Sequence, residues 1–310
     1  MNDKTLLALY GLKYNPFVPA LPVEALWPLP GAELFARRLE SLVSQGGFSL
    51  ITGEPGYGKS KTLQWLGARL GQLPDIVVGV MERPQSKVAD FYRELGELFG
   101  VQLNPANRYG GFKALRERWR AHCAATLLRP LLLVDEAQEV SSECLTELRL
   151  LQSASFDSQS LLFTVLCGDA RLPQRFRTPE LLPLGSRIRA RLELSALTPQ
   201  ELASYLDYVL QKAGAPQLIA PELIQTLATH AHGNLRVLTH MAAELLTAAA
   251  ERNLPRVNGD AKVYQFRELK SVPPCWLEKF LNQVLLKWIH LLSERVAWRR
   301  HVPVTGSCAL

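Results

Sequence analysis

Residues 48–60 read Phe48-Ser-Leu-Ile-Thr-Gly53-Glu-Pro-Gly-Tyr-Gly58-Lys59-Ser60, a short apolar run followed by the pattern Gly-x-x-x-x-Gly-Lys-Ser. The apolar run predicts a β-strand, and the residues that follow, to about Gly71, predict a helix. Glycines let the loop between them curl so that its backbone N–H groups point at one spot, which the positive amino terminus of the helix also faces. This order of strand, loop and helix predicts a binding site for the phosphates of a nucleotide.

The polar residues of this loop have separate expected tasks. Lys59 is expected to reach the β- and γ-phosphates, and Ser60 is expected to hold Mg²⁺ through its hydroxyl. The residues expected to bind the nucleotide are Gly53, Glu54, Pro55, Gly56, Tyr57, Gly58, Lys59, Ser60 and Lys61.

A second motif lies downstream, where Arg129-Pro-Leu-Leu-Leu-Val-Asp135-Glu136 forms an apolar strand that ends in two carboxylates. Alone, such an ending usually marks a solvated loop. Behind a phosphate loop it is typical of a Walker B strand, in which Asp135 holds Mg²⁺ and Glu136 orients and polarises the attacking water.

Composition narrows the class of protein. The chain has 310 residues, of which 47% are apolar and 21% charged, as in globular proteins. The amino terminus lacks the features of a secretory signal, and the longest apolar stretch, Trp276 to Leu292, carries three charges, so a soluble, cytoplasmic protein without a membrane span is expected. The cysteines form no Cys-x-x-Cys pair, and no metal-binding histidine pattern, acyl-transfer elbow or protein-kinase signature is present.

Apolar runs alternate with helical patterns between residues 48 and 195, which predicts an α/β fold with a parallel sheet and helices on both faces. A small all-helical lid domain is expected to follow, because Thr198-Pro199-Gln200-Glu201 has the capping residues of a helix start. The predicted strands are Phe48 to Thr52, Ile76 to Met81, Leu131 to Asp135, Leu161 to Cys167 and Leu192 to Leu194. The predicted lid helices are Thr198 to about Gly214, Pro221 to His232 and Leu235 to Glu251.

Four segments are therefore expected. They are an amino-terminal proline-rich arm with a helix near Ala32 to Ser44 (residues 1–47), the nucleotide-binding core (48–196), the helical lid (197–252) and a basic carboxy-terminal extension (253–310).

With these motifs, residues 5 to 250 resemble the AAA+ ATPases, a class of P-loop NTPases, and among them the bacterial group that includes general secretion pathway protein A and the transposition ATPases TniB and TnsC. The opening Tyr10-Gly11-Leu12-Lys13 to Pro16-Phe17 is similar to the start of members of this group. The resemblance implies ATP and Mg²⁺ as cofactors and hydrolysis of ATP to ADP and phosphate. It also implies that the opening lies near the adenine; a packing anchor is the alternative for Pro16 and Phe17.

The resemblance further implies three catalytic positions. Arg187 would be an arginine finger that reaches the nucleotide of a neighbouring subunit, with Arg189 or Arg191 as runner-up. The alternative is that this arginine-rich segment is a solvated basic loop. Arg236 in Gly233-Asn234-Leu235-Arg236 would be sensor 2. Asp169 lies at the sensor 1 position, where many members have a neutral polar residue; a carboxylate there repels the γ-phosphate unless it acts through Mg²⁺ or water.

An arginine finger predicts a homo-oligomer, either a ring or a filament. The leading functional hypothesis is a regulator of transposition that binds duplex DNA with ATP and recruits or activates a transposase. The alternatives are an ATP-driven assembly factor for a secretion-type or loader-type complex, without DNA binding, and a nucleotide-gated scaffold with slow turnover.

Positive charge is concentrated at the carboxy terminus. The formal charge of the chain is +6, and residues 252–310 hold ten Lys/Arg and four Asp/Glu, so the remainder is neutral. The extension, with Trp276, Trp288 and Trp298, is a candidate docking or nucleic-acid-binding helix, or a segment that packs on the lid. Further candidates for phosphate contacts are Arg83, Lys87, Arg108, Lys113, Arg116, Arg118 and Arg120.

Overall fold

A parallel β-sheet forms the centre of the computed structural model, which describes residues 3–84, 87–103 and 107–257. Five strands run parallel in the order β2-β3-β6-β1-β7, and β4 and β5 form a separate short antiparallel hairpin. The strands are β1 (Gly47–Gly53), β2 (Val78–Met81), β3 (Leu131–Val134), β4 (Ser153–Ala154), β5 (Gln159–Ser160), β6 (Phe163–Gly168) and β7 (Ile188–Leu194).

Helices cover both faces of this sheet. The helices up to β7 are α1 (Asp3–Tyr10), α2 (Ala32–Leu42), α3 (Lys59–Leu70), α4 (Val88–Phe99), α5 (Arg108–Thr126), α6 (Ser142–Gln152), α7 (Arg171–Arg175) and α8 (Leu182–Gly185). The short 3₁₀ helices Val23–Ala25 and Ala137–Glu139 accompany them.

The central strands are buried on both sides, as expected for a parallel sheet. All four residues of β3 and all six of β6 are buried. Leu132 and Val134 belong to the apolar cluster that β3 shares with α4, α5 and α6. Leu133 points to the opposite face, where a Cβ on Gly67 of α3 would lie 2.7 Å from it. The predicted α/β class with helices on both faces is confirmed.

Strand β7 begins four residues before its predicted start. The prediction was too short because β7 is an edge strand, in which every second residue faces solvent. Its residues alternate between buried Ala190, Leu192 and Leu194 and exposed charged side chains. The short apolar end alone signalled a strand in the sequence, so the alternating first half was missed.

The region after β7 is helical, as predicted, and consists of α9 (Pro199–Ala213), α10 (Pro221–His230) and α11 (Leu235–Glu251). Thr198 and Glu201 form the predicted capping box, and Gly214 ends α9 with φ +91°, a conformation that favours glycine. Helix α10 ends two residues earlier than predicted. The four-segment division stays a prediction, and residues 258–310 of the predicted extension, including its three tryptophans, lie outside the described residues.

The amino-terminal segment contains a helix, α1, that the sequence did not signal. Helix α1 contacts α11, and the Lys13 N–H donates to the Ala213 carbonyl at 2.9 Å. Leu12 and Phe17 of the opening are buried. The segment therefore packs on the helical region before it reaches the core. No helix among residues 3–84, 87–103 and 107–257 is both long and apolar enough to cross a membrane.

Candidate functional site

The predicted phosphate loop connects β1 to α3 at the carboxyl end of the sheet. Gly56 and Gly58 both have φ +87°, a left-handed conformation that costs an L-residue about 1 kcal/mol or more. A Cβ on Gly56 would lie 2.3 Å from Asn234 Oδ1, and one on Gly58 would lie 2.8 Å from Leu29 Cδ1. The glycines thus allow both the curl of the loop and the close approach of other segments.

Lys59 is the first residue of α3 and is only 7% exposed. Its Nζ donates to the Glu54 carbonyl at 3.2 Å, across the loop. Within the part of the chain that the structure describes, no carboxylate forms an ion pair with this ammonium. A buried cation without a counter-ion is costly, so this position is suited to an anionic ligand.

The other two polar residues at the start of α3 are oriented differently. Ser60 is exposed. The Lys61 Nζ donates to the Pro19 carbonyl and to Gln64 Oε1, the latter at 3.3 Å. The Lys61 ammonium is therefore engaged by the amino-terminal segment, and only its backbone remains for the predicted loop role.

Asp135 and Glu136 follow β3 directly. The Asp135 N–H donates to the Met81 carbonyl at 3.1 Å, and Asp135 Oδ1 accepts from the Glu136 N–H at 2.9 Å. Glu136 is exposed and has φ +46°, which is unusual for a residue other than glycine. Strain of this kind is concentrated at functional sites. The turn presents the Glu136 carboxylate outside the strand end while the Asp135 side chain stays partly buried.

Cys167 lies near the end of β6, which is between β3 and β1 in the sheet. The charged groups around it shift the pKa of its thiol. Burial raises the pKa of its thiol well above the ordinary value, and the hydrogen-bonded Asp135 carboxylate raises it further. The charges of Lys59 and Glu136 also act on this thiol, in opposite directions. The structure therefore brings the cation of the loop and the two carboxylates of β3 to one place.

Asp169, the predicted sensor 1 residue, follows β6 at the same end of the sheet. Arg171 Nε donates to both of its carboxylate oxygens, at 3.2 and 2.9 Å, and Arg171 also pairs with Glu139 at 2.6 Å. Burial raises the pKa of Asp169, but the hydrogen bonds and charge of Arg171 and the charge of Lys59 lower it, and the net pKa lies below its ordinary value. Arg171 thus compensates the negative charge of Asp169 at this end of the sheet.

Gln138, in the 3₁₀ turn after Glu136, is a site residue that sequence reasoning missed. Its side chain is 7% exposed, donates to Glu136 Oε2 and accepts from the Asp169 N–H at 3.1 Å. A polar residue two positions after a strand-ending Asp-Glu pair was a visible signal, although one glutamine in a turn carries little information by itself.

Helix α11 begins against the loop. Asn234 caps this helix through Oδ1, and its Nδ2 donates to the Pro55 carbonyl at 3.0 Å. The Arg236 N–H donates to Asn234 Oδ1 at 3.0 Å and to the Gly56 carbonyl at 3.3 Å. The predicted sensor 2 residue, Arg236, is thereby brought to the loop with an exposed side chain. The contact of Asn234 with the loop was not anticipated.

The predicted finger arginines are not brought to this site. Strand β7 pairs in parallel with β1 from Ile188 to Leu194, so Arg187 lies at the amino end of the sheet, about 20 Å from the loop at 3.3 Å per residue. Its guanidinium donates to Asp157 and to the Pro183 carbonyl. Arg189 donates to the Gly46 carbonyl at 3.2 Å, and Arg191 is exposed. None of them reaches the phosphate loop of its own chain.

The site and fold have counterparts among known proteins. An AAA domain family matches residues 41–176, which include the loop, the β3 carboxylates and Asp169. Residues 41–176 form an AAA domain. This confirms the resemblance inferred from the Walker motifs. In fold, the chain is similar to the ORC2 protein of Aeropyrum pernix in its ADPNP-ADP complexes, with a TM-score of 0.63, 16% identity, and coverage of 85% of this chain and 74% of that one.

Two relatives match most of this chain. It is 34% identical over 234 residues to general secretion pathway protein A of Aeromonas hydrophila, and 28% identical over 258 residues to ATP-dependent target DNA activator B of Escherichia phage Mu. The alignments cover 74% and 82% of this chain. The chain spans 42% of the length of the secretion protein and 73% of that of the DNA activator.

Proposed function

We propose that this AAA+ protein binds ATP with Mg²⁺ and hydrolyses it to ADP and phosphate. The observation that carries the proposal is the buried Lys59 ammonium, which has no carboxylate partner within the described residues and shares the strand ends with Asp135 and Glu136. Magnesium-dependent binding of ATP to the purified protein, measured by calorimetry, tests it. Absence of such binding at millimolar nucleotide would remove the proposal.

The donor atoms present fit the cofactors. The loop offers backbone N–H groups and the Lys59 ammonium, which suit phosphate oxygens, while Ser60 and Asp135 offer a hydroxyl and a carboxylate, the oxygen ligands that Mg²⁺ prefers. Bound Mg²⁺ would supply charge neutralisation on the β- and γ-phosphates.

Hydrolysis requires a group that handles the proton of the attacking water. In our proposal the Glu136 carboxylate orients this water and accepts its proton, as the water oxygen bonds to the γ-phosphorus and the bond to the bridging oxygen of ADP breaks. Lys59 would stabilise the charge that develops on the γ-phosphate oxygens. Arg236, whose backbone N–H already contacts the loop, is proposed to add charge from the lid.

We also propose that the active form is a homo-oligomer in which Arg187 completes the site of a neighbouring subunit. The distance from the loop of its own chain supports this assignment, since the residue has no intramolecular route to that loop. The Asp157 ion pair is partly solvent-exposed, with side chains 30% and 47% exposed, so releasing Arg187 from it costs about 1 kcal/mol.

Replacing Arg187 with alanine is expected to reduce ATP hydrolysis about 100-fold or more and to leave ATP binding within about threefold of wild type. Arg177→Ala, which removes an exposed arginine that has no role in the proposal, serves as the control and should retain activity. In a mixture, Arg187→Ala supplies an intact nucleotide site and Lys59→Ala supplies the finger, so partial activity should return. Unchanged turnover in Arg187→Ala would show that the assignment is wrong.

The role of this ATPase is proposed to be ATP-dependent binding of duplex DNA in order to recruit or activate a transposase in the cytoplasm. The similarity to target DNA activator B of phage Mu supports this role. The basic excess of residues 252–310 supports DNA binding as well. In the described region Arg108 is paired with buried Glu147 and Arg116 donates to the Leu150 carbonyl, so exposed Lys87, Arg118 and Arg120 are the better candidates for phosphate contacts.

DNA affinity is expected to fall steeply with salt and to require ATP or a slowly hydrolysed analogue. If about six phosphates are contacted, the association constant drops about 10³-fold between 50 and 200 mM salt. The double variant Arg118→Ala with Arg120→Ala should reduce the slope of log K against log salt by about two. Fluorescence anisotropy with labelled duplex measures both quantities. Salt-insensitive or undetectable binding would exclude the DNA role.

The similarity to general secretion pathway protein A favours a second candidate function. In that case the protein would use ATP to assemble a protein complex and would not bind DNA. Neighbouring genes distinguish the two at low cost, since a transposase gene favours the DNA regulator and secretion genes favour the assembly factor.

A further inference from the structure

Gln138 connects two parts of the proposed hydrolytic site through one buried amide. It lies in the turn Ala137–Glu139 between β3 and α6. The Asp169 backbone N–H can only donate, so the atom that faces it at 3.1 Å is the amide oxygen, Oε1. The NH₂ group is thereby fixed toward the Glu136 carboxylate, to which it donates. The orientation of the amide follows from this geometry.

The surroundings hold this amide in place. Gly168 makes room for it, because a Cβ at that position would lie 2.4 Å from Gln138 Oε1. Arg175 donates to the carbonyls of Gln138 and Val140, at 2.7 and 2.8 Å, and so fixes the backbone of the turn. A side chain that is locked by both packing and hydrogen bonds is suited to orient a catalytic group.

Glu136 depends on this contact for its orientation. Its carboxylate is exposed on a left-handed turn, and Gln138 supplies the one hydrogen bond that it accepts within the described residues. The bond engages Oε2 and leaves Oε1 open. Without the amide, the carboxylate would sample several rotamers in solvent.

We propose that Gln138 is a positioning residue for ATP hydrolysis, which holds the Glu136 carboxylate toward the attacking water and links it to Asp169 at the end of β6. A displacement of Asp169 when the γ-phosphate binds is then passed to Glu136 through one amide. The inference rests on the proposed ATPase function and adds a residue that acts through Glu136 without touching the nucleotide.

The test replaces Gln138 with leucine, which has a similar volume and no hydrogen-bonding group. We expect kcat to fall about 10- to 100-fold, because misplacing the general base lowers the rate by about this factor. KM should stay within about threefold of wild type. A readout without turnover is binding of ADP with aluminium fluoride, a transition-state mimic. Its affinity should fall about tenfold while that of ATPγS stays unchanged.

Two further variants separate positioning from folding. Gln138→Glu keeps the acceptor for the Asp169 N–H but cannot donate to Glu136, so it should show the same loss of kcat even if the leucine variant does not fold. Gln152→Leu is the matched control: Gln152 is 4% exposed, its Oε1 lacks a partner within the described residues, and it should behave as wild type.

The outcomes are distinguishable. If the wild-type protein does not hydrolyse ATP, the proposed function fails. If it does, and Gln138→Glu keeps wild-type kcat or exceeds it, only the positioning role is overturned. An equal loss of ATPγS and aluminium fluoride affinity would likewise contradict it, because it would indicate general damage to the site.

Discussion

Lys59→Ala is expected to weaken binding of Mg²⁺-ATP about 100-fold or more. The ammonium is buried beside the loop, where each charge-assisted hydrogen bond to a phosphate contributes about 1.5–3 kcal/mol, and two such contacts are lost. Isothermal titration calorimetry with ATPγS measures the loss directly. Hydrolysis should fall below detection at ordinary ATP concentrations because the site is no longer occupied.

The control for this variant is Lys212→Ala, which removes the same charge from the exposed surface of α9. It should bind ATP as wild type does. The Lys59 variant should also unfold at the same or a slightly higher temperature than wild type, because it removes a buried cation that has no carboxylate partner among the residues described. Affinity within threefold of wild type would remove Lys59 from the site.

The fold could be predicted from the sequence because its main signals are local. Buried central strands appear as continuous apolar runs, and the capping box of α9 is contained in four residues. The edge strand β7 was predicted too short, since three of its seven residues are charged and face solvent. Helix α1 was missed because its pattern is short and weak, and contacts with α11 stabilise it.

The candidate site was predictable only in part. The loop and the Asp135-Glu136 pair are contiguous motifs that the sequence shows directly, and the chemistry assigned to them stays a proposal. The contacts that join these motifs are not contiguous: 179 residues separate Asn234 from Pro55, 31 separate Gln138 from Asp169, and 30 separate Arg187 from Asp157. Only the fold brings such residues together, so the amino-acid sequence does not reveal these contacts.

The charge of Asp169, the predicted sensor 1 residue, is balanced by a neighbouring arginine. From the sequence, Asp169 is expected to repel the γ-phosphate. In the structure Arg171 engages both carboxylate oxygens, and Lys59 also acts on it. In the proposed ATP complex these two cations would offset the repulsion. Asp169 also donates its backbone N–H to Gln138.

The contact between α11 and the loop could couple nucleotide binding to movement of the proposed lid. Asn234 and Arg236 make hydrogen bonds to the carbonyls of Pro55 and Gly56, on the backbone that would wrap the phosphates. A change in the curl of that backbone would alter both bonds at once. We therefore propose that the lid moves during turnover and that these two hydrogen bonds couple it to the loop. The close contact requires glycine at position 56, because a Cβ there would clash with Asn234.

Glu136→Gln is expected to lower the hydrolysis rate about 10³-fold and to leave ATP binding unchanged or tighter. The amide has nearly the shape of the carboxylate but cannot accept the proton of the attacking water. It also removes a negative charge close to the γ-phosphate, which favours the bound nucleotide. The variant should therefore remain in the ATP-bound, assembled state, which size-exclusion chromatography with ATP detects.

Glu143→Gln provides the matched comparison, because Glu143 is an exposed glutamate in the first turn of α6. It should hydrolyse ATP at the wild-type rate. Combined with Glu136→Gln, the Gln138→Leu change should add little further loss, since the positioning amide acts only through the carboxylate that is already gone. Substantial turnover in Glu136→Gln would mean that another group accepts the proton, and Asp169, at the end of the neighbouring strand, would be the first to examine.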